Sequence, residues 1–391
     1  MNRSLPWNIV FWNSLNKRDN YYDMKYTILL SLLILSASVS LNAQQAKKTK
    51  GQNKYLSSYD SKTLTPDQTP VLLPYNRWID PAGSQILFGN KELENHALDV
   101  ALSPDEKWLA IEGRYEVVIV AAASKKIVST FQLSNYFKNQ VQMNSFSGIC
   151  CRQEGDLTQL FWGAGGKEGS GVVKATWAKG KFPDAEYIPI EKESPAKLSL
   201  VNEVLFRNES GIPELYIVAN GNNTVVKMNP DTKKIIWTTQ VGVAPYGITM
   251  ANGKIYVTNW AGNQPEANDK NVAGVPWGSA KVNDVNGATR EGTVSVLDPA
   301  TGAVLKAIPV GLHPNDLICA SDKRFVYVSN ANSDQVSAIS TVSDEVTETI
   351  SVRLNAEENP YWGDSPNGLA LSKDNKTLYV CNGMDNALAV V

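Results

Sequence analysis

The sequence predicts an all-β fold, a β-propeller built from four-stranded blades. Three observations lead there. A turn-and-strand pattern recurs at intervals of about 40–55 residues, a period typical of propeller blades. The strands within it are short, alternating and rich in β-branched residues. The chain is also rich in turn formers, with 27 Gly, 19 Pro and 35 Asn in 391 residues. Gly and Asn adopt φ > 0 at little cost, so this composition suits a fold with many tight turns.

The first elements precede the repeats. Residues 1–23 show no sustained period and read as an upstream extension ahead of the true start at Met24. Lys25, the apolar run Ile28–Val39 and the small residues up to Ala43 make residues 24–43 a signal peptide. The run falls short of the ~20 apolar residues that span a bilayer, so no transmembrane span is expected after cleavage. The expected location is exported, periplasmic or extracellular. Residues 44–70 are polar and read as a linker. Val71–Leu73 and Gln85–Phe88 read as extra strands that could pair with the last blade.

The repeats then follow in order. His96-Ala97-Leu98-Asp99 leads to Trp108–Ile111; Ala244-Pro245-Tyr246-Gly247 leads to Lys254–Asn259. His313-Pro314-Asn315-Asp316 leads to Phe325–Asn330, and Ser365-Pro366-Asn367-Gly368 to Thr377–Asn382. Third strands are expected at Val117–Val120, Thr293–Leu297 and Gln335–Ile339, and fourth strands at Ile127–Phe131, Val304–Val310 and Val346–Val352. Two degenerate copies fill the interval, around Phe146–Ile190 and Pro195–Gly242. One four-stranded blade cannot bury both faces, so blades must stack on one another. Asn263–Arg290 is a long insertion between two strands of one blade, of a length that is usually functional or partner-facing.

The string Tyr256-Val257-Thr258-Asn259 resembles the YVTN propeller repeat, and residues 71–391 resemble bacterial YncE-type propellers. Asn95–Asp105 and the insertion after Thr258-Asn259-Trp260-Ala261-Gly262 are similar to exported proteins in which such a propeller precedes an alkaline-phosphatase-like phosphoesterase domain. That resemblance implies a seven-bladed ring and a C-terminal phosphoesterase domain in a longer protein. Five complete units and most of a sixth are present, and the third strand of the last begins at Ala387. The propeller therefore reads as truncated at about six blades.

Composition narrows the function. With 37 Lys+Arg against 39 Asp+Glu and no basic block, a nucleic-acid partner is not expected. Two His are too few for a binuclear phosphatase centre, and the chain has no Gly-x-Ser-x-Gly elbow and no Cys-x-x-Cys-His haem attachment. No catalytic residue, metal or cofactor is assigned. The expected function is a binding module for a small molecule or a protein. The alternative is a propeller lactonase acting at the channel mouth.

Candidate ligand-binding residues gather where inner strands begin, because equivalent repeat positions converge on the propeller axis. They are His96, Asp99, Tyr246, His313, Asn315, Asp316 and Asn367, with Trp260 and Asp364 nearby. The same residues could equally cap strand ends or pack between blades. The Asn/Asp-rich loops at 330–334 and 382–386 lack the ligand spacing of a calcium loop and read as turns. Cys150 and Cys151 are adjacent in a strand, so they should point to opposite faces and pack structurally.

Overall fold

The computed structural model describes residues 71–73, 77–79, 85–89, 96–138, 140–167, 169–209, 211–275, 278–354 and 362–391. The proposed extension, signal peptide and linker lie outside the described residues. Residues 1–83 and 84–391 form two compact units. In the first, β1 (Val71–Leu73) pairs with β2 (Arg77–Ile79) as an antiparallel hairpin. Gln85–Phe88, expected as a strand, has no regular secondary structure. A short apolar run becomes a strand only where a neighbouring ladder takes up its backbone groups.

Among the described residues the second unit holds six antiparallel blade sheets in chain order, besides one two-stranded hairpin. Blade 1 is β3 (Ala97–Leu102), β4 (Trp108–Gly113), β5 (Glu116–Ala121) and β6 (Lys126–Gln132). A short helix, α1 (Leu133–Phe137), leads to blade 2: β7 (Met143–Glu154), β8 (Leu157–Gly166), β9 (Gly169–Ala178) and β10 (Lys181–Ile190). Its strands have 10 to 12 residues and exceed the expected length, because tight turns join long alternating runs. Blade 3 is β11 (Val201–Arg207), β12 (Glu214–Ala219), β13 (Thr224–Met228) and β14 (Ile235–Gln240).

Blade 4 runs β15 (Pro245–Ala251), β16 (Lys254–Asn259), β19 (Gly292–Leu297) and β20 (Val304–Val310). The insertion is more than a loop: it carries its own hairpin, β17 (Val272–Val275) with β18 (Gly278–Lys281). Blade 5 is β21 (Pro314–Cys319), β22 (Phe325–Asn330), β23 (Gln335–Ser340) and β24 (Glu345–Ser351). The sixth sheet has three strands, β25 (Pro366–Leu371), β26 (Leu378–Asn382) and β27 (Ala387–Val390). The architecture is a six-blade propeller, one blade short of the seven that the family resemblance implied.

The core is divided among the interfaces between blades. Trp162, Phe131 and Leu160 lie in the cluster between blades 1 and 2, and Phe161, Leu215 and Ile217 in that between 2 and 3. Tyr216 and Ile255 join blades 3 and 4, Tyr256 and Val328 join 4 and 5, and Val336 and Val380 join 5 and 6. Each large side chain fully buried in this way contributes ~1.5–3 kcal/mol. Cys150 packs on the blade 2–3 cluster and Cys151 on the blade 1–2 cluster, as their adjacency in a strand requires. Blades 6 and 1 meet, among the described residues, where Lys373 Nζ lies 3.3 Å from Glu106.

The turns behave as their composition demands. Asp334 sits at φ 48, and its carboxylate accepts hydrogen bonds from the Gly363 and Ser365 amides at the entrance to blade 6. Asn259, Asn330 and Asn382, at the ends of second strands, spend their side-chain amides on neighbouring strands and loops. Much of the Asn excess is therefore hydrogen-bonded scaffold.

Candidate functional site

Each inner strand begins with a register shift against its neighbour, just before Val204, Ile248, Leu317 and Leu369 in blades 3 to 6 and before Ile149 in blade 2. The residues closing those shifts, together with Asp99 of blade 1, are Asp99, Gly148, Glu203, Gly247, Asp316 and Gly368. Acid and glycine alternate from blade to blade. At two of the three glycines the reason is steric. Gly148 has φ +108, and a Cβ there would lie 2.4 Å from the Glu203 Cα. A Cβ on Gly247 would meet Leu317 Cδ2 at 2.7 Å and the Asn315 carbonyl at 2.9 Å.

Two of the acids reach across to the next inner strand. Asp99 Oδ2 accepts from the Gly148 amide at 2.8 Å and the Ile149 amide at 3.2 Å. Asp316 Oδ2 accepts from the Leu369 amide at 2.8 Å. Glu203 Oε2 instead faces the Ser147 hydroxyl at 3.5 Å, and Asn202 beside it donates to the Ser147 hydroxyl and the Tyr246 carbonyl. Hydroxyls one strand outward add further ties. Thr258 donates to the Asn315 carbonyl at 2.6 Å, and Ser329 to the Asn367 carbonyl at 2.7 Å.

These strand starts enclose a central cavity of about 790 Å³. Asp99, Glu203, Asp316, Tyr246, Asn315 and Asn367 line it, with Ser147 and the exposed ring of Phe146. Asp99, Glu203 and Asp316 are each partly buried. Burial accordingly raises the Asp99 carboxyl above the usual range, against the pull of the backbone amides that it accepts. Burial raises Asp316 to about 7, and the charge of Asp99 adds to the rise. Glu203 is pushed well up by burial and by the like charges of Asp99, Asp316 and Glu112. Burial raises the Tyr246 phenol to about 12, with the Ser147 hydroxyl opposing the shift.

Glu112 lies behind this group. It pairs with Asp99 across β3 and β4, is fully buried, and has no hydrogen-bond partner among the described residues at either carboxyl oxygen. Burial and the neighbouring Asp99 push its carboxyl far towards the neutral form. A charged carboxylate could not stay unpaired in such a place, whereas a neutral acid can.

The structure separates the nine candidate residues. Asp99, Tyr246, Asn315, Asp316 and Asn367 line the cavity. His313 and Trp260 do not: they stack behind Tyr246, with ring centroids 4.6 Å apart for Tyr246–Trp260 and 4.7 Å for Trp260–His313. Burial lowers the His313 pKa. His96 is exposed and outside the lining, and Asp364 is buried with its carboxylate on the Leu354 amide. The equivalence of the two His holds in sequence but not in backbone, since His313 has φ 53, shared by Ala244 at 53 and Ser365 at 55. Glu203, Ser147, Phe146 and Glu112 were missed, because the two degenerate copies and an acid inside a strand carry no repeat string to mark them. Among the described residues no group of three or more His, Cys, Asp or Glu is placed to hold a metal ion.

No protein-family model matches the chain, and no curated protein does. Solved structures are similar in fold. A functionally unknown protein from Desulfotomaculum acetoxidans aligns with a TM-score of 0.51 at 15% identity, covering 76% of this chain and 83% of that one. Hydrazine synthase from Kuenenia stuttgartiensis aligns at 0.50 and 13% identity, covering 74% of each chain. A chain of the mitotic checkpoint complex aligns at 0.50 and 13%, covering 77% of each. At these identities the likeness is one of fold, the propeller.

Proposed function

We propose that this protein is an exported propeller of the YVTN type that acts as a binding module, with the central cavity as its ligand site. The ligand is a small molecule carrying positive charge, such as an amine. The observation that carries this reading is the convergence of Asp99, Glu203 and Asp316 on one cavity from alternate blades. Burial raises their pKa values, joined at Glu203 and Asp316 by the like charge of neighbouring acids, and a cation between them would favour the charged forms. Tyr246, backed by Trp260 and His313, adds an aromatic surface that favours a cation further. A multi-atom cation suits the site better than a metal ion, since the acids are spread around the axis.

The propeller is further proposed to be the N-terminal part of a longer phosphoesterase-like protein, located in the periplasm or outside the cell. The sequence resemblance and the apolar run before Ala43 support this.

The test is calorimetric titration with spermidine as the probe, beside an uncharged polyol of similar length. Binding of spermidine alone, weakened at least tenfold in Glu203→Gln, supports the reading. Equal binding of both probes, or of neither, overturns it.

A further inference from the structure

A second cavity, of about 840 Å³, lies away from the channel, between the turn that opens β13 and the insertion of blade 4. We infer that it is a separate binding site for an uncharged polyhydroxylated ligand, a carbohydrate chain. The inference is independent of the function proposed for the channel. Its volume falls within the ~300–1,000 Å³ typical of small-molecule sites.

The decisive residue is Thr224. It is 3% exposed, lies in the cavity wall, and its hydroxyl has no hydrogen-bond partner among the described residues. An unpartnered buried hydroxyl is costly, and a turn of the Thr224 side chain into the cavity would let a ligand hydroxyl that both donates and accepts satisfy it.

The walls are held in place by amide side chains. Asn222 accepts from the Glu193 amide and donates to the Glu191 carbonyl, both at 2.9 Å. Asn223 accepts from the Ala244 amide at 2.8 Å, and Gln264 of the insertion donates to the Val241 carbonyl at 3.2 Å. Gly221 is required beneath them, because a Cβ there would lie 2.1 Å from the Leu198 carbonyl oxygen. The cavity is therefore built before any ligand arrives, which lowers the entropic cost of binding.

Its chemistry selects the ligand class. Hydroxyl and amide side chains dominate the lining, with Thr238, Gln240 and Ser279 adding to Asn222, Asn223 and Gln264. No Lys, Arg or His is among the lining residues to attract a phosphate or carboxylate. Of its acids, Asp269 already accepts from the Glu266 amide and lies 3.6 Å from Lys281. Polar surface outweighs the apolar part that Pro195, Pro265, Ala267 and Val272 supply, so an oily ligand would strand the polar groups. Vicinal hydroxyls match this surface, since each can donate to one wall and accept from the other.

The experiment titrates the whole chain with maltotetraose, cellotetraose and chitotetraose by calorimetry. At least one is expected to bind, with Thr224→Val weakening it roughly tenfold and leaving the melting temperature close to that of the wild type. Gln264→Ala, which loosens the insertion without touching the hydroxyl, is expected to weaken the same sugar. Asp316→Asn, in the channel, should leave sugar binding unchanged. Failure of all three sugars at millimolar concentration, or undiminished binding by Thr224→Val, would overturn the inference.

Discussion

Asp316 of blade 5 accepts a hydrogen bond from the Leu369 amide of blade 6 at 2.8 Å, and Asp99 makes the corresponding bond to the Ile149 amide of blade 2 at 3.2 Å, with a second to the Gly148 amide at 2.8 Å. One residue type at one repeat position thus ties adjacent inner strands and at the same time faces the channel. Structural and ligand-binding roles are superimposed on these side chains, and substitutions can separate them.

Asp99→Ala leaves the Gly148 and Ile149 amides without their acceptor, at a cost of about 1–3 kcal/mol. Asp99→Asn keeps an acceptor oxygen and removes a charge that burial disfavours. We expect the Asn variant to melt at or above the wild-type temperature at pH 8, and the Ala variant well below it. Thermal denaturation of the two variants side by side distinguishes them.

The alternating glycines should differ sharply in tolerance. Gly148→Ala meets strand backbone at 2.4 Å and adopts φ +108, so a loss of ~3 kcal/mol or more is expected. Gly368→Ala meets nothing nearer than the Cys381 Sγ at 3.7 Å and has no positive φ, so its effect should stay within about 1 kcal/mol. Chemical denaturation of both variants checks the contrast.

Stability should fall as pH rises from about 4 to about 7. The Asp316 carboxyl titrates near 7 in the folded chain, against 3.8 as its ordinary value. The folded state therefore holds this proton more tightly. Its stabilising contribution is complete below the unfolded pKa and is lost as pH rises through the folded one. Asp99 and Glu203 shift in the same direction. Asp316→Asn should flatten part of the slope of melting temperature against pH, and an unchanged slope would show that this carboxyl is not desolvated.

Much of the fold was legible because the repeat writes itself in strings. Tyr-Val-Thr-Asn at 256–259 and its relatives at 327–330 and 379–382 placed the second strands, and the Pro at 245, 314 and 366 placed the inner ones. The short strand expected at Gln85–Phe88 failed because an apolar run does not specify its partner. Asp99 and Asp316 could be seen as convergent from their shared position. Glu203 could not, because Leu200-Val201-Asn202-Glu203 has neither the Pro nor the His that marks the other acidic entrances. Nor could the sequence tell that the ring of His313 stacks on Trp260, a contact between residues 53 apart in the chain. The hairpin β17–β18 and the cavity beside it arise inside an insertion with no repeat to align.

The central claim is that Asp99, Glu203 and Asp316 act together as a cation site in the channel. The most direct measurement is proton release on spermidine binding, obtained by calorimetry at pH 6.5 in two buffers of different ionisation enthalpy. Because these carboxyls hold protons above the ordinary range, binding should release protons, and affinity should rise from pH 5.5 to 8. Glu203→Gln should lessen both effects. Binding without proton release, with an affinity independent of pH, would contradict the account.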